Sequence, residues 1–92
     1  MAPIALTLYS RPGCHLCDAM KEITYAVARE MGCSLAEVDI SADPELEARY
    51  AVEIPVLLVN GRKAFKYRCT ERELRKRLRA EGKMRDHADD RD

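Results

Sequence analysis

The sequence contains no long hydrophobic run. Its longest runs cover four residues each, at 25–28 and 56–59, whereas a membrane-spanning helix needs about 20 apolar residues. The N-terminal segment also lacks the basic stretch and the longer apolar stretch of a secretory signal. We therefore expect a cytoplasmic protein that does not contact the membrane.

A net charge of either sign is also absent, because 16 basic residues balance 16 acidic ones. A nucleic-acid partner is not expected, since such a role needs an excess of positive charge. The charges are nevertheless unevenly spread. Residues 62–79 contain nine Lys/Arg and two Asp/Glu, a net charge of +7. Such a block indicates a solvated helix face, and a surface for an acidic partner is the alternative.

Cysteine is scarce for a secreted domain held together by disulfides. The four cysteines are Cys14, Cys17, Cys33 and Cys69. Two of them lie three positions apart and the other two are isolated. This pattern indicates redox or metal chemistry in a reducing compartment rather than a disulfide framework.

The apolar periodicity changes along the chain in a way that predicts an α/β fold. Alternating or continuous apolar residues predict strands at 4–10, 35–40, 55–59 and 63–67. Three- and four-residue spacing, together with helix-start signals, predicts helices at 14–31, 43–51 and from 70 onward. The order β-α-β-α-β-β-α predicts a four-stranded mixed sheet with helices on both faces.

The length of 92 residues is enough for one domain. The last stretch, residues 83–92, is charged and has little to bury. We therefore predict one domain over residues 1–82 and a mobile tail over residues 83–92.

The chemistry is predicted at Cys14-His15-Leu16-Cys17, where the first strand meets the first helix. Two cysteines on the first turn of a helix are close enough for a disulfide. At a helix N-terminus, free amides and the helix dipole stabilise a thiolate over a thiol, and Cys14 takes that place. Arg11 and His15 add positive charge nearby. Cys17 lies one turn further in and is expected to be less exposed.

Two other interpretations of these cysteines stay open from the residues alone. In the first interpretation both cysteines are core residues, since free cysteine is among the most buried residue types. A structural zinc site is the second alternative. It would have to recruit His15, Cys33 and Cys69, which lack paired spacing.

The segment from Leu8 to Cys17 closely resembles the active-site segment of glutaredoxins, and still more that of small bacterial glutaredoxin-like proteins with a Cys-His-Leu-Cys sequence. The resemblance covers residues 4 to about 80 and implies a thioredoxin-like fold. It implies that Cys14 attacks a substrate disulfide and that Cys17 resolves the mixed disulfide. It also implies a cis peptide bond between Ile54 and Pro55, with Pro55 shaping the substrate groove and the Ile54 backbone pairing with the substrate.

The sequence departs from the relatives in two respects. It has no tryptophan, so the Trp-Cys-Gly-Pro-Cys of thioredoxin is missing. The Gly-Gly pair with which glutathione-using glutaredoxins begin the last helix is replaced by Cys69-Thr70-Glu71. Thr70 still offers a hydroxyl and helix amides to an anion, and Arg11 stands at the position of the usual lysine. Glutathione is therefore an open option as co-substrate.

Together these observations predict a thiol-disulfide oxidoreductase that uses Cys14 and Cys17. Its partner would be a disulfide-containing protein or a glutathione mixed disulfide. We expect a monomer that needs no metal and no organic cofactor. Two alternatives of the same fold remain: a metal-binding or iron–sulfur-binding module, and a redox-inactive adaptor.

Overall fold

The computed structural model describes the backbone of residues 3–91 and the side chains of residues 3–82. The side chains of residues 83–92 lie outside the described residues, so the predicted mobile tail over these residues stays a prediction. The elements follow the predicted order and are β1 (Ala5–Ser10), α1 (His15–Met31), β2 (Ser34–Asp39), α2 (Pro44–Tyr50), β3 (Val56–Val59), β4 (Arg62–Lys66) and α3 (Glu71–Arg91).

The strands form one mixed sheet in the order β2-β1-β3-β4. β1 and β2 are parallel, with α1 as the crossover, and β3 pairs antiparallel with both β1 and β4. Because β1 and β3 run in opposite directions, the last residues of β1 lie beside the first residues of β3, with Tyr9 opposite Val56. The turn that carries Cys14 and the Ile54-Pro55 bond therefore lie at the same end of the sheet.

The core consists of two apolar clusters. The larger cluster packs α1 and α3 against the sheet, and its fully buried members include Leu6, Leu8, Met20, Val27, Leu57, Val59, Leu74 and Leu78. The smaller cluster joins α2 to the start of α1 and the start of β3, and contains Cys17, Ile40, Tyr50, Ile54 and Val56. The smaller cluster therefore brings Cys17 and Ile54 together.

The helices begin at residues whose side chains bond to free backbone amides. The Asp43 carboxylate accepts from the Glu45 amide at 2.9 Å, and Pro44 fills the first turn of α2, as predicted. α1 begins at His15 rather than at the predicted Cys14. Cys14 has extended backbone (φ −102°, ψ 113°) and caps the helix with its side chain.

The predicted hairpin joins β3 to β4. Asn60 and Gly61 both have positive φ, 50° and 84°, as the tightest two-residue turns require. The second strand ends one residue earlier than predicted, at Asp39. The Asp39 carboxylate accepts from the Ser41 amide at 2.9 Å, which starts a 3₁₀ turn at Ile40.

Candidate active site

Cys14 occupies the N-cap position of α1. Its Sγ accepts a hydrogen bond from the Cys17 backbone N–H at 3.1 Å. The preceding Gly13 has φ +79°, a conformation that only glycine adopts without cost, and it turns the chain from β1 into the helix. The half-buried sulfur thus meets the positive end of the helix dipole, where negative charge is favoured.

Cys17 lies one turn further along and is only 2% exposed. Burial, together with a hydrogen bond to the Cys14 side chain, raises the pKa of Cys17 to about 11, although a hydrogen bond from the Arg11 backbone opposes this. The Cys17 thiol is therefore protonated at neutral pH. The two side chains are within hydrogen-bonding reach of each other, but Cys17 is buried whereas Cys14 is half-buried.

The peptide bond between Ile54 and Pro55 is cis. Pro55 is fully buried and Ile54 is 8% exposed. The Pro55 carbonyl accepts from the Tyr67 amide at 2.8 Å, and the Ile54 amide donates to the Tyr50 carbonyl at 3.1 Å. The Ile54 N–H is thus already bonded within the protein, and the predicted pairing of Ile54 with a substrate backbone stays a prediction.

Arg11 is held against α2. Its Nη1 lies 2.7 Å from Oε1 of Glu47, so a carboxylate neutralises the guanidinium. The predicted role of Arg11 in activating Cys14 stays a prediction, and this ion pair limits it. His15 is the first residue of α1 and is exposed.

Thr70 begins α3 with the predicted capping box. Its Oγ1 accepts from the Glu73 amide at 3.0 Å, and its own amide donates to the Glu73 carboxylate at 2.9 Å. This carboxylate stands where the anion of the glutathione hypothesis would have to bind. The capping box therefore disfavours a second carboxylate at Thr70, and the predicted anion site remains untested.

The four thiols fall into the two apolar clusters. Cys14 and Cys17 belong to the smaller one, whereas Cys33 and Cys69 belong to the larger one. Cys69 is 7% exposed, and burial raises its pKa to about 11. Within residues 3–82, no three or more His, Cys, Asp or Glu side chains are grouped as metal ligands. The residues that a zinc site would have recruited are thus not brought together.

A groove between α1 and the segment that leads into α3 has no counterpart in the sequence analysis. It has a volume of about 370 Å³ and is lined by Leu16, Ala19, Met20, Ile23, Tyr67, Arg68 and Cys69. Leu16 continues the apolar spacing of α1, which predicts a core position. It is instead 38% exposed at the groove. Periodicity does not show where a buried stripe ends, so sequence reasoning missed this surface.

Comparison with known proteins finds a matching family model and similar solved structures. Residues 5–79 match the family model of the glutaredoxin-like domain (DUF836). The glutaredoxin-like protein YDR286C homolog of Dictyostelium discoideum is 29% identical over 77% of this chain and 71% of its own length. The crystal structure of target protein XcR50 from X. campestris is 38% identical, with a TM-score of 0.69 over 82% of this chain and 96% of that chain.

A thioredoxin supports the fold alone. A mutant thioredoxin from Halobacterium salinarum NRC-1 has a TM-score of 0.63 and 18% identity, over 86% of this chain and 74% of that chain. The predicted thioredoxin-like fold is confirmed by these structural similarities. No helix in the described part of the chain is long and apolar enough to cross a membrane.

Proposed function

The chain belongs to the glutaredoxin-like domain family, and we propose that it is a thiol-disulfide oxidoreductase that uses Cys14 and Cys17. One observation carries the proposal: at the start of a helix, the Cys14 sulfur accepts a hydrogen bond from the Cys17 amide. A thiolate is the nucleophile of thiol-disulfide exchange, and this position favours it.

The first step is attack by the Cys14 thiolate on one sulfur of a substrate disulfide. A bond forms between the Cys14 sulfur and that sulfur while the substrate S–S bond breaks. The second substrate sulfur leaves as a thiolate and takes a proton from solvent. Because Cys17 is buried and protonated, it does not compete with Cys14 for the substrate.

The second step uses the contact between the two cysteine side chains. Cys17 loses its proton and attacks the Cys14 sulfur, so that a Cys14–Cys17 disulfide forms and the remaining substrate thiolate leaves. Overall, the protein gives up two electrons and two protons and the substrate disulfide becomes two thiols. Two molecules of a small thiol or one protein dithiol, oxidised in turn to a disulfide, return the protein to its reduced form.

The substrate class we propose is a protein disulfide. Glutathione, as mixed disulfide or as reductant, is the second option, and the Glu73 carboxylate at the start of α3 weighs against it. The reaction needs no organic cofactor. We propose that the protein is a monomer. We also propose a cytoplasmic location, since a reducing compartment keeps both thiols available.

The test is to trap each intermediate. Reduced protein is mixed with bis(2-hydroxyethyl) disulfide and its mass is measured. We expect the original chain to lose two hydrogen atoms, Cys17→Ser to stop as a mixed disulfide at position 14, and Cys14→Ser to do neither. Cys33→Ser is the matched control, and it should react like the original chain because Cys33 lies in the other apolar cluster.

Two results would contradict the proposal. Stoichiometric zinc or a visible absorption band after anaerobic purification, lost in Cys14→Ser, would favour the metal-binding or iron–sulfur alternative. A Cys14→Ser variant that retains partner binding, in a protein whose reduced form leaves the small disulfide unchanged, would favour the adaptor.

A further inference from the structure

The basic residues of α3 whose side chains the structure describes divide into two groups. Arg75 and Arg77 form ion pairs with acidic residues of α1 and α3 at 2.8–3.0 Å. Arg72, Lys76 and Arg79 are exposed, and none of them forms an ion pair with a described side chain. The side chains of residues 3–82 therefore neutralise the positive block of the sequence only in part.

The three unpaired residues lie on one face of the helix. Their spacing of four and then three residues brings them to the same side, opposite the buried Leu74 and Leu78. They extend over roughly 10 Å of the helix axis. Like charges at this spacing repel one another. We call Arg72, Lys76 and Arg79 the basic face.

The basic face begins at the same end of the sheet as the cysteine pair. β4 runs back toward this end, because Lys66 pairs with Val56 at the start of β3. The chain then passes through Arg68 and the capping box into α3. Arg72 is thus the residue of the basic face nearest to this end of the sheet, and Lys76 and Arg79 lie progressively further away.

The groove described above lies between α1, at whose start the cysteine pair stands, and residues 67–69, which precede the basic face along the chain. Leu16 lies between Cys14 and Cys17 in sequence and forms one side, and Tyr67 forms the other. These are two of the few large apolar side chains that are strongly exposed, at 38% and 41%. The exposed Arg68 side chain also lines the groove. The apolar groove thus has a cation, Arg68, in its lining, four positions before the first residue of the basic face.

We propose that the groove and the basic face together dock an acidic segment of a protein substrate. An apolar side chain near the substrate cysteine would enter the groove, and Asp or Glu residues that follow it would lie along the basic face. The inference rests on the proposed function, because docking here presents the neighbouring disulfide to Cys14. A protein segment fits better than a nucleic acid, since the charge is confined to one narrow helix face in a chain with net charge zero.

The test uses two peptides that each contain one intramolecular disulfide and an adjacent leucine. One continues with three glutamates and the other with three glutamines. The rate constant for oxidation of the reduced protein is measured with each peptide at low and at high salt. We expect the acidic peptide to react at least fivefold faster at low salt, and we expect the difference to vanish in 0.5 M salt, where exposed charges are screened.

Variants assign this preference to the surface. Arg72→Glu/Lys76→Glu/Arg79→Glu should abolish it, whereas the matched control Arg29→Glu/Arg49→Glu/Arg62→Glu, with the same charge change at exposed positions elsewhere, should retain it.

The groove has its own matched pair of variants. Tyr67→Ser should slow both peptides severalfold, because both carry the leucine that the groove accepts. Tyr25→Ser changes a similarly exposed tyrosine outside the groove and should slow neither.

Reaction with bis(2-hydroxyethyl) disulfide separates this inference from the proposed function. If the small disulfide does not react, the redox proposal itself is wrong. If it reacts but the rate constants with the two peptides are equal, the docking proposal is wrong. The proposal is also wrong if the basic-face triple variant keeps the same difference between the two rate constants as the original protein. Binding of a single-stranded oligonucleotide that only the basic-face variant abolishes, without a peptide preference, would overturn it as well.

Discussion

The four cysteines should react with an alkylating reagent at very different rates in the folded, reduced protein. Cys14 should react first, because its sulfur is half-buried and lies at the helix N-terminus. Cys17 and Cys69 should react last, because both are buried and protonated. This order follows directly from the geometry on which the redox proposal depends, so it is the most informative single measurement.

The expected magnitude follows from the ionisation of Cys17. With a pKa of about 11, roughly one Cys17 side chain in 10⁴ is a thiolate at pH 7. An unperturbed cysteine, with a pKa of about 8.5, is a thiolate in roughly 3% of molecules at that pH. Ionisation alone therefore slows Cys17 by about 300-fold, and limited access at 2% exposure slows it further.

The assay is alkylation with iodoacetamide under a reducing atmosphere, followed by digestion and mass spectrometry of each cysteine-containing peptide. The pH is varied from 6 to 11. The same protein unfolded in urea is the control, because all four thiols are then exposed and should react alike. In the folded protein, the Cys17 rate should rise about tenfold for each pH unit until the pH approaches its pKa.

Two outcomes would refute the reasoning. If Cys17 at pH 7 reacted within about tenfold of its rate in the urea control, it would be neither buried nor protonated as described, and the division of roles would fail. If Cys14 reacted more slowly than Cys33, which burial makes harder to ionise, the helix terminus would not activate it.

Three further predictions concern stability and activation. Since burial raises the pKa of both Cys17 and Cys69 to about 11, the unfolded chain ionises first as the pH rises. The reduced protein should therefore lose stability between about pH 8.5 and 11, by about 2 kcal/mol per thiol at pH 10, and Cys17→Ser should remove about half of this loss. Urea unfolding at pH 8 and at pH 10 measures it, and an unchanged midpoint would contradict it. Thr70→Ala should lower the free energy of unfolding by about 1 kcal/mol, whereas Thr70→Ser should preserve it, because only the hydroxyl caps α3; equal losses in the two variants would count against the capping box. Arg11→Met should slow alkylation of Cys14 by less than about threefold, since a carboxylate already neutralises the guanidinium, and a tenfold decrease would show that Arg11 acts on the sulfur directly.

Short-range signals predicted most of the fold. Asn60-Gly61 forms the hairpin because these two residues tolerate the positive φ that the turn needs. Thr70 and Glu73 form the capping box because their bonds join residues three positions apart. Each interaction lies within one turn of the chain, so the residue types alone are enough to indicate it.

Contacts between elements could not be predicted in this way. Arg11 and Glu47 are 36 residues apart, and nothing in their sequence neighbourhoods links them. Leu16 continues the spacing of the buried α1 residues, yet it is exposed because the sheet and α3 leave the first turn of the helix uncovered on that side. Such outcomes depend on how helices and strands pack together, which periodicity does not encode.

The amino-acid sequence by itself determined the order of strands and helices, their approximate start and stop residues, and the position of the cysteine pair at a helix N-terminus, because all of these arise from backbone geometry over a few neighbouring residues. Only the tertiary structure decided that burial raises the pKa of Cys17 to about 11, that Arg11 is neutralised by α2, and that an apolar groove forms between α1 and residues 67–69. The ionisation and accessibility of a side chain are set by the neighbours that surround it in space, and those neighbours come from distant parts of the chain.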